Sequence, residues 1–227
     1  MQMREAVYLI LSICLISSLF ESCKKEDTTA PIITLLGLDT VTQYLPTTLN
    51  GAIYTDPGAL AEDNEDGNMT PFIQVSNPVN ANRKGVYTIT YSVTDEAGNT
   101  TTKDRVVIIA NSMEKFAGTY PNSVDSCGVS NNPFIPTVTT SDTIDRLIWI
   151  SNFGNYGANI KVRATLSDTN IAVPLMQYLN TPMTTFISNV FFPVTDILSA
   201  GAPTSLRIKY EWNNGATTDT CSSWFIR

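Results

Sequence analysis

The chain has 227 residues, of which 43% are hydrophobic and 15% are charged, and it carries a formal net charge of −7 without a single histidine. This apolar fraction is sufficient for packed cores, whereas an acidic chain is repelled by the phosphates of nucleic acid, which excludes that partner class. The lack of histidine removes the commonest general base, the Ser-His and Cys-His pairs and the preferred metal-binding imidazole, so the sequence predicts a protein that is not an enzyme.

The first element in the chain is a secretory signal. Arg4 precedes an apolar run from Ala6 to Phe20 that only serines interrupt. The run is about fifteen residues long, which is shorter than the roughly twenty residues that span a bilayer. Residues 1–22 are therefore predicted to be a signal peptide.

The end of this signal resembles the lipobox of bacterial lipoproteins, which are cut before a cysteine that carries a diacylglyceryl anchor. A small residue precedes Cys23, while Phe20 and Glu21 depart from the usual box and resemble the looser boxes of Bacteroidota lipoproteins. The charged tract 24–27 resembles the signal that exports such lipoproteins to the outer face of the cell. The resemblance implies that residues 23–31 are a lipidated cysteine and tether at the outer membrane, and the alternative is an ordinary signal peptide with an incidental cysteine.

The next segment, residues 32–110, has the pattern of an all-β domain. Short strands are predicted at 32–36 and 40–44, and alternation over residues 85–95 predicts a strand with one buried face. After a turn at residues 96–99, a return strand from Thr100 to Ile109 completes an antiparallel hairpin. The positions predicted to be buried in the first strand of the hairpin are Tyr87, Ile89, Tyr91 and Val93.

Residues 85–99, with the sequence GVYTITYSVTDEAGN, are similar to the last hairpin of a bacterial Ig-like module of surface proteins. The resemblance implies an Ig-like β-sandwich over residues 32–111, with the Tyr87 hydroxyl bonded to an upstream backbone carbonyl as a tyrosine corner. Such modules are spacers or binding domains, and catalysis is not implied. Three further segments are similar to the same module: 28–32, 54–59 and 61–67.

Residues 112–227 are predicted to form a second antiparallel β domain, either a meander barrel or a two-sheet sandwich, because short strands alternate with turn residues. Residues 116–120, FAGTY, are similar to lipocalin-like lipoprotein domains. The whole arrangement resembles Bacteroidota surface lipoproteins, some of which accompany Sus-type importers of glycans or peptides. The predicted strands are 143–153, 158–166, 171–175, 184–192, 206–212 and 217–226.

The cysteine count predicts one disulfide bond. Cys14 leaves with the signal and Cys23 is assigned to the anchor, so Cys127 and Cys221 remain as an even pair in an oxidising compartment. The alternative is two buried free thiols.

An acidic segment of the sequence suggests calcium as a cofactor. With Gly67 in sixth place, Glu62, Asn64 and Asp66 occupy the first, third and fifth places of an EF-hand-like loop, and hard oxygen ligands at this spacing suit Ca²⁺. However, the twelfth place holds Ile73 instead of a bidentate glutamate. The alternative is a solvated acidic turn whose side chains cap backbone amides.

Aromatic residues in turns are the candidates for ligand contact. Phe153 and Tyr156 lie in a turn rich in Asn and Gly, where exposure is expected, and Phe191 with Phe192 is the next candidate. The alternative is that the first two residues pack over the mouth of a barrel. Three aromatic residues within strand patterns are instead expected in the core: Trp149, Trp212 and Trp224.

The leading functional hypothesis is a non-catalytic, surface-anchored binding or accessory protein for nutrient capture. Its expected partners are the outer membrane, an outer-membrane transporter complex and a glycan or peptide ligand. The first alternative is an adhesion or structural surface protein. The second is a hydrolase with paired carboxylates, although no motif singles out such a pair among the 21 acidic residues.

Overall fold

In the computed structural model, the described secondary structure consists of β-strands and short 3-10 turns. The described residues are 26–49, 51–155, 161–166, 170–172, 177–178, 185–187, 192–193, 205–213 and 218–227. The predicted signal peptide and Cys23 lie outside them, as do Tyr156 and Phe191. No helix in these ranges has the length and apolar character needed to cross a membrane.

Seven strands and one 3-10 turn precede residue 111. The 3-10 turn is Thr70–Phe72. The strands are β1 Ile32–Leu35, β2 Thr40–Tyr44, β3 Ala59–Asp63, β4 Gly67–Asn68, β5 Gln74–Ser76, β6 Gly85–Thr94 and β7 Thr100–Ala110.

These strands form two sheets, a three-stranded sheet in the order β1-β3-β4 and a four-stranded sheet in the order β2-β7-β6-β5. The predicted alternation of β6 is confirmed, because Ile89, Tyr91 and Val93 are buried while Thr88 and Thr94 are exposed. β2 runs parallel to β7. The turn between β6 and β7 needs a left-handed residue, which Gly98 provides at φ 93°.

Three polar contacts connect side chains of β6 and β7 to the residues before these strands. The Tyr87 hydroxyl donates a hydrogen bond to the carbonyl oxygen of Arg83 at 2.9 Å, which confirms the predicted tyrosine corner. Fully buried Arg105 pairs with Asp56 at 3.1 Å, and Tyr91 donates to the same carboxylate at 2.6 Å. Burial is the main reason why the pKa of Tyr91 is raised, so its hydroxyl stays protonated and remains a donor.

After residue 111, the described ranges contain twelve strands and two 3-10 turns. The turns are Glu114–Phe116 and Phe153–Asn155. The strands are β8 Gly118–Thr119, β9 Ser123–Cys127, β10 Ser130–Phe134, β11 Thr137–Thr140, β12 Leu147–Ser151, β13 Lys161–Leu166, β14 Asn170–Ala172, β15 Gln177–Tyr178, β16 Thr185–Ile187, β17 Phe192–Pro193, β18 Ser205–Asn213 and β19 Thr218–Ile226.

These strands build two antiparallel six-stranded sheets that share one core. The first sheet has the order β10-β9-β19-β18-β16-β15 and the second has the order β17-β14-β13-β12-β11-β8. Within the described ranges no strand pairing joins them, so this region is a two-sheet sandwich. The core side chains are Met113, Phe116, Tyr120, Phe134, Val138, Ile148, Ile150, Phe153, Val162, Ala164, Ile208, Tyr210, Cys221 and Phe225.

The predicted disulfide between Cys127 and Cys221 is confirmed. The two residues lie directly opposite each other on the antiparallel strands β9 and β19. The all-β fold class is likewise confirmed, because the described secondary structure consists of strands and 3-10 turns.

The described chain divides into two compact units. The first comprises residues 26–34, 59–74 and 92–102, and the second comprises the remaining described residues. Each of the four sheets takes all of its strands from one side of residue 111. The domain boundaries at residues 31, 111 and 112 stay predictions.

Candidate functional site

The first candidate for ligand contact, Phe153, is a core residue. Its side chain has no exposed surface, and its ring centroid lies 5.0 Å from that of Tyr210 and 5.9 Å from that of Phe225. The expectation that Phe153 is exposed is therefore wrong. Gly154, the next residue, takes a left-handed conformation at φ 58° inside the 3-10 turn. Phe192 lies in β17, where only its backbone is described.

Two tryptophans that were expected to be buried are instead exposed. Trp149 on β12 is 38% exposed and Trp224 on β19 is 41% exposed, so the expectation that both belong to the core is wrong. Trp149 alternates with Ile148 and Ile150, which are fully buried. Strand geometry therefore turns the Trp149 ring to the outer face of the sheet. The side chain of Trp212 is outside the described set.

The ring of Trp149 lines a groove of about 470 Å³ within the second compact unit. We call it the Trp149 groove. β11 and the residues after it supply one wall, the 3-10 turn at Glu114–Phe116 supplies another, and Lys84 enters from the residue before β6. The other lining residues are Lys84, Glu114, Ala117, Thr139, Thr140, Ser141 and Asp142.

Lys84 is held in the groove by three acceptors. Its Nζ lies 3.3 Å from Glu114 Oε2 and 3.3 Å from Asp142 Oδ1, and it donates to the Thr140 hydroxyl oxygen at 2.9 Å. The Thr140 hydroxyl in turn donates to Glu114 Oε2 at 2.6 Å. Two of these contacts are hydrogen bonds and the contact with Asp142 is an ion pair, so the ammonium group of Lys84 is engaged with residues of the groove itself.

The carboxylates of the groove keep acceptor capacity. The side chains of Glu114 and Asp142 are 54% and 68% exposed, compared with 30% for Lys84. Each ionised carboxylate accepts through two oxygens, and one oxygen of each is used by Lys84. The groove therefore combines the exposed ring of Trp149 with the solvent-accessible carboxylates of Glu114 and Asp142. None of these features was singled out by sequence reasoning, which placed Trp149 in the core.

A separate cluster of carboxylates lies in the first compact unit. One oxygen each from Asp27, Asp63 and Asp95 lies within 4.8 Å of the others. Asp63 accepts the amide N–H groups of Glu65 and Asp66 at 2.9 and 3.1 Å, and these bonds, the one from Asp66 first, lower the pKa of Asp63. Three carboxylates at this separation could hold a hard divalent cation such as Ca²⁺.

The residues predicted for calcium do not form this cluster. Glu62 and Asn64 are exposed, and Asp66 accepts the backbone N–H of Glu96 at 2.7 Å. Asp63 caps two amides of the turn, as the acidic-turn alternative described. Calcium binding itself stays a prediction, and the structure offers Asp63 instead of its neighbours as the member of a ligand set.

Sequence reasoning also missed a buried polar cluster in the sandwich core. Asp125 on β9 is buried and accepts hydrogen bonds from the Tyr210 hydroxyl, at 2.9 Å to each oxygen, and from the Ser223 hydroxyl. Burial raises the pKa of Asp125 in spite of these bonds, which act in the opposite direction. The position of Asp125 is inaccessible to ligand, so the cluster is structural.

One comparison with known proteins identifies residues 34–109 of the chain. Residues 34–109 match the family model described as bacterial surface protein, Ig-like domain. This region is thus an Ig-like domain of the kind found in bacterial surface proteins. None of the curated proteins matches the chain.

Solved structures with similarity to the chain have low scores. A lipoprotein from Bacteroides thetaiotaomicron is 20% identical, with a TM-score of 0.33, over 86% of this chain and 99% of that one. The M60 catalytic domain with two CBM51 domains, from Clostridium perfringens ZmpB, is 14% identical with a TM-score of 0.30 over 88% of this chain. The chain spans only 23% of the length of that protein. A structure of CBM51-2 with GlcNAc and INT domains from the same ZmpB is 17% identical with a TM-score of 0.28, over 86% of this chain and 43% of that one.

Proposed function

We propose that the protein is a lipid-anchored, non-catalytic surface protein of the outer membrane that binds a glycan or peptide ligand for nutrient uptake beside a transporter. The observation that carries the binding role is the Trp149 groove, where an exposed aromatic ring lies beside accessible carboxylates. Ligand sites combine an apolar surface with a few placed polar groups in this way.

The surface location is supported independently of the groove. The apolar run and Cys23 give the sequence features of a lipoprotein signal, and residues 34–109 match an Ig-like domain of bacterial surface proteins. Acyl chains contribute about 0.8 kcal/mol per buried methylene, so several chains would hold the protein at the membrane.

The binding role is tested with the soluble chain beginning at Lys24, on a glycan array and a peptide array. Trp149→Ala should weaken binding of the captured ligand at least roughly tenfold, because a central aromatic contact contributes upwards of about 1 kcal/mol. Trp224→Ala is the matched control, since both tryptophans lie on outer sheet faces with similar exposure. Equal losses in the two variants would remove the groove from the proposal.

The anchor is tested separately in cells. Cys23→Ala should block processing of the signal or release the protein from the membrane fraction. Unchanged partitioning and an unchanged mass of the mature protein would contradict lipid anchoring.

A further inference from the structure

We propose that the Trp149 groove selects a neutral, hydroxyl-rich glycan and excludes acidic glycans. This inference rests on the proposed function, because it names the ligand class of the same groove. It follows from the charge of the groove and from the hydrogen-bond acceptors that remain available after the contacts within the groove have formed.

The carboxylates of the groove can accept hydrogen bonds, whereas the ammonium group of Lys84 already contacts residues of the groove. Lys84 donates hydrogen bonds to Glu114 and Thr140 at 3.3 and 2.9 Å and forms an ion pair with Asp142 at 3.3 Å, and the Thr140 hydroxyl donates to Glu114. A ligand that brings hydrogen-bond donors therefore finds two partly exposed carboxylates. An anionic ligand would first have to displace a carboxylate from Lys84, the cation among the lining residues.

Charge acts in the same direction. Two carboxylates and one ammonium group line the groove, so its side chains carry a net negative charge. Carboxylated or sulfated glycans would be repelled and would lose hydration without gaining a donor. The next cation along the sheet, exposed Arg163, is the strand partner of Trp149 on the β13 side. The groove lies on the β11 side, where Thr139 is the partner of Trp149.

A neutral sugar matches both features at once. Its hydroxyl groups rotate and can donate to carboxylates, while the C–H face of the ring is apolar and can stack on the amphipathic indole of Trp149.

The experiment is calorimetric titration of the soluble chain with cellohexaose, mannohexaose and chitohexaose as neutral probes and hexagalacturonate as the acidic probe. At least one neutral probe should bind with an affinity that Trp149→Ala lowers tenfold or more. Raising NaCl from 50 to 500 mM should change this affinity less than about twofold, because no ion pair forms. Hexagalacturonate should not bind to the wild type.

A charge variant tests the origin of the selectivity. Glu114→Gln combined with Asp142→Asn removes both negative charges and frees Lys84, so hexagalacturonate should gain binding of tenfold or more over wild type. Asp142→Asn alone is the second variant, with a smaller gain in the same direction. Glu96→Gln is the matched control, because Glu96 is an exposed carboxylate that does not line the groove. Thermal melts verify that each variant is folded.

The outcomes separate the two proposals. Trp149-dependent binding of hexagalacturonate by the wild type overturns the ligand class and leaves the binding role intact. Absence of binding to every neutral probe also overturns the ligand class. If no ligand on the arrays depends on Trp149, the proposed function fails as well.

Discussion

Replacing Phe153 with alanine should destabilise the sandwich instead of impairing ligand contact. The side chain is fully buried, and its ring packs against Tyr210 and Phe225 at centroid distances of 5.0 and 5.9 Å. Truncation of a buried phenylalanine costs about 3–5 kcal/mol of unfolding free energy, since it removes transfer free energy and leaves a cavity. At about 2–4 °C per kcal/mol for a chain of this size, the melting temperature should fall by roughly 6–20 °C.

Urea unfolding followed by tryptophan fluorescence measures this loss, with circular dichroism as the second probe. Trp149→Ala is the contrasting variant, because its exposed side chain should cost well under half as much stability while removing ligand affinity. The reasoning from burial is refuted if Phe153→Ala keeps the wild-type unfolding free energy within about 0.5 kcal/mol and loses binding.

Three further predictions concern the disulfide, the buried carboxylate and calcium. A non-reduced digest should contain linked peptides of Cys127 and Cys221, and alkylation of both thiols without prior reduction would contradict the disulfide. Reduction should lower the unfolding free energy by at most about 4–5 kcal/mol, because the two cysteines are 94 residues apart. Burial raises the folded-state pKa of Asp125 above its ordinary 3.8, so the folded state keeps a proton that the unfolded chain has lost. Its contribution to stability is thus present below the ordinary pKa and declines as pH rises through the raised pKa. Asp125→Asn should flatten this part of the stability profile in urea unfolding at a series of pH values, and an unchanged slope would count against the assignment. Addition of CaCl₂ to EDTA-treated protein should raise the melting temperature, by an amount set by the ratio of the calcium concentration to its dissociation constant. Asp95→Asn should abolish this rise. An equal rise in the variant would show that calcium binds elsewhere.

The Ig-like hairpin could be predicted because its information is local. Alternation with a period of two identifies both the strand and its buried face, and the turn after it contains Gly98, which adopts the positive φ that the turn requires. The same period places Arg105 inward with Val107 and Ile109. The partner of Arg105, Asp56, is 49 positions away, and a single sequence contains no information that pairs them.

The groove could not be predicted because its signals are not local. Trp149 lies in an apolar run, where every position is hydrophobic and no period shows which side chain faces out. The register with β13 resolves this, since Trp149 is paired with Arg163, a residue that alternation had already placed on the solvated face. The prediction for Phe153 was wrong for a related reason. Turn composition predicts an exposed side chain, but the ring packs against Tyr210 and Phe225, which are distant in the sequence.

The position of Lys84 has a consequence for how such proteins diversify. Lys84 belongs to the segment that matches the Ig-like domain, whereas the other groove residues lie between positions 114 and 149. Its backbone N–H donates to the carbonyl oxygen of Asp142 at 2.7 Å, and the N–H of Asp145 donates to the carbonyl oxygen of Pro46 at 2.8 Å. Exchange of the Ig-like segment by recombination would therefore also exchange the ammonium group that pairs with the groove carboxylates. The charge of the groove thus depends on residues from both parts of the chain.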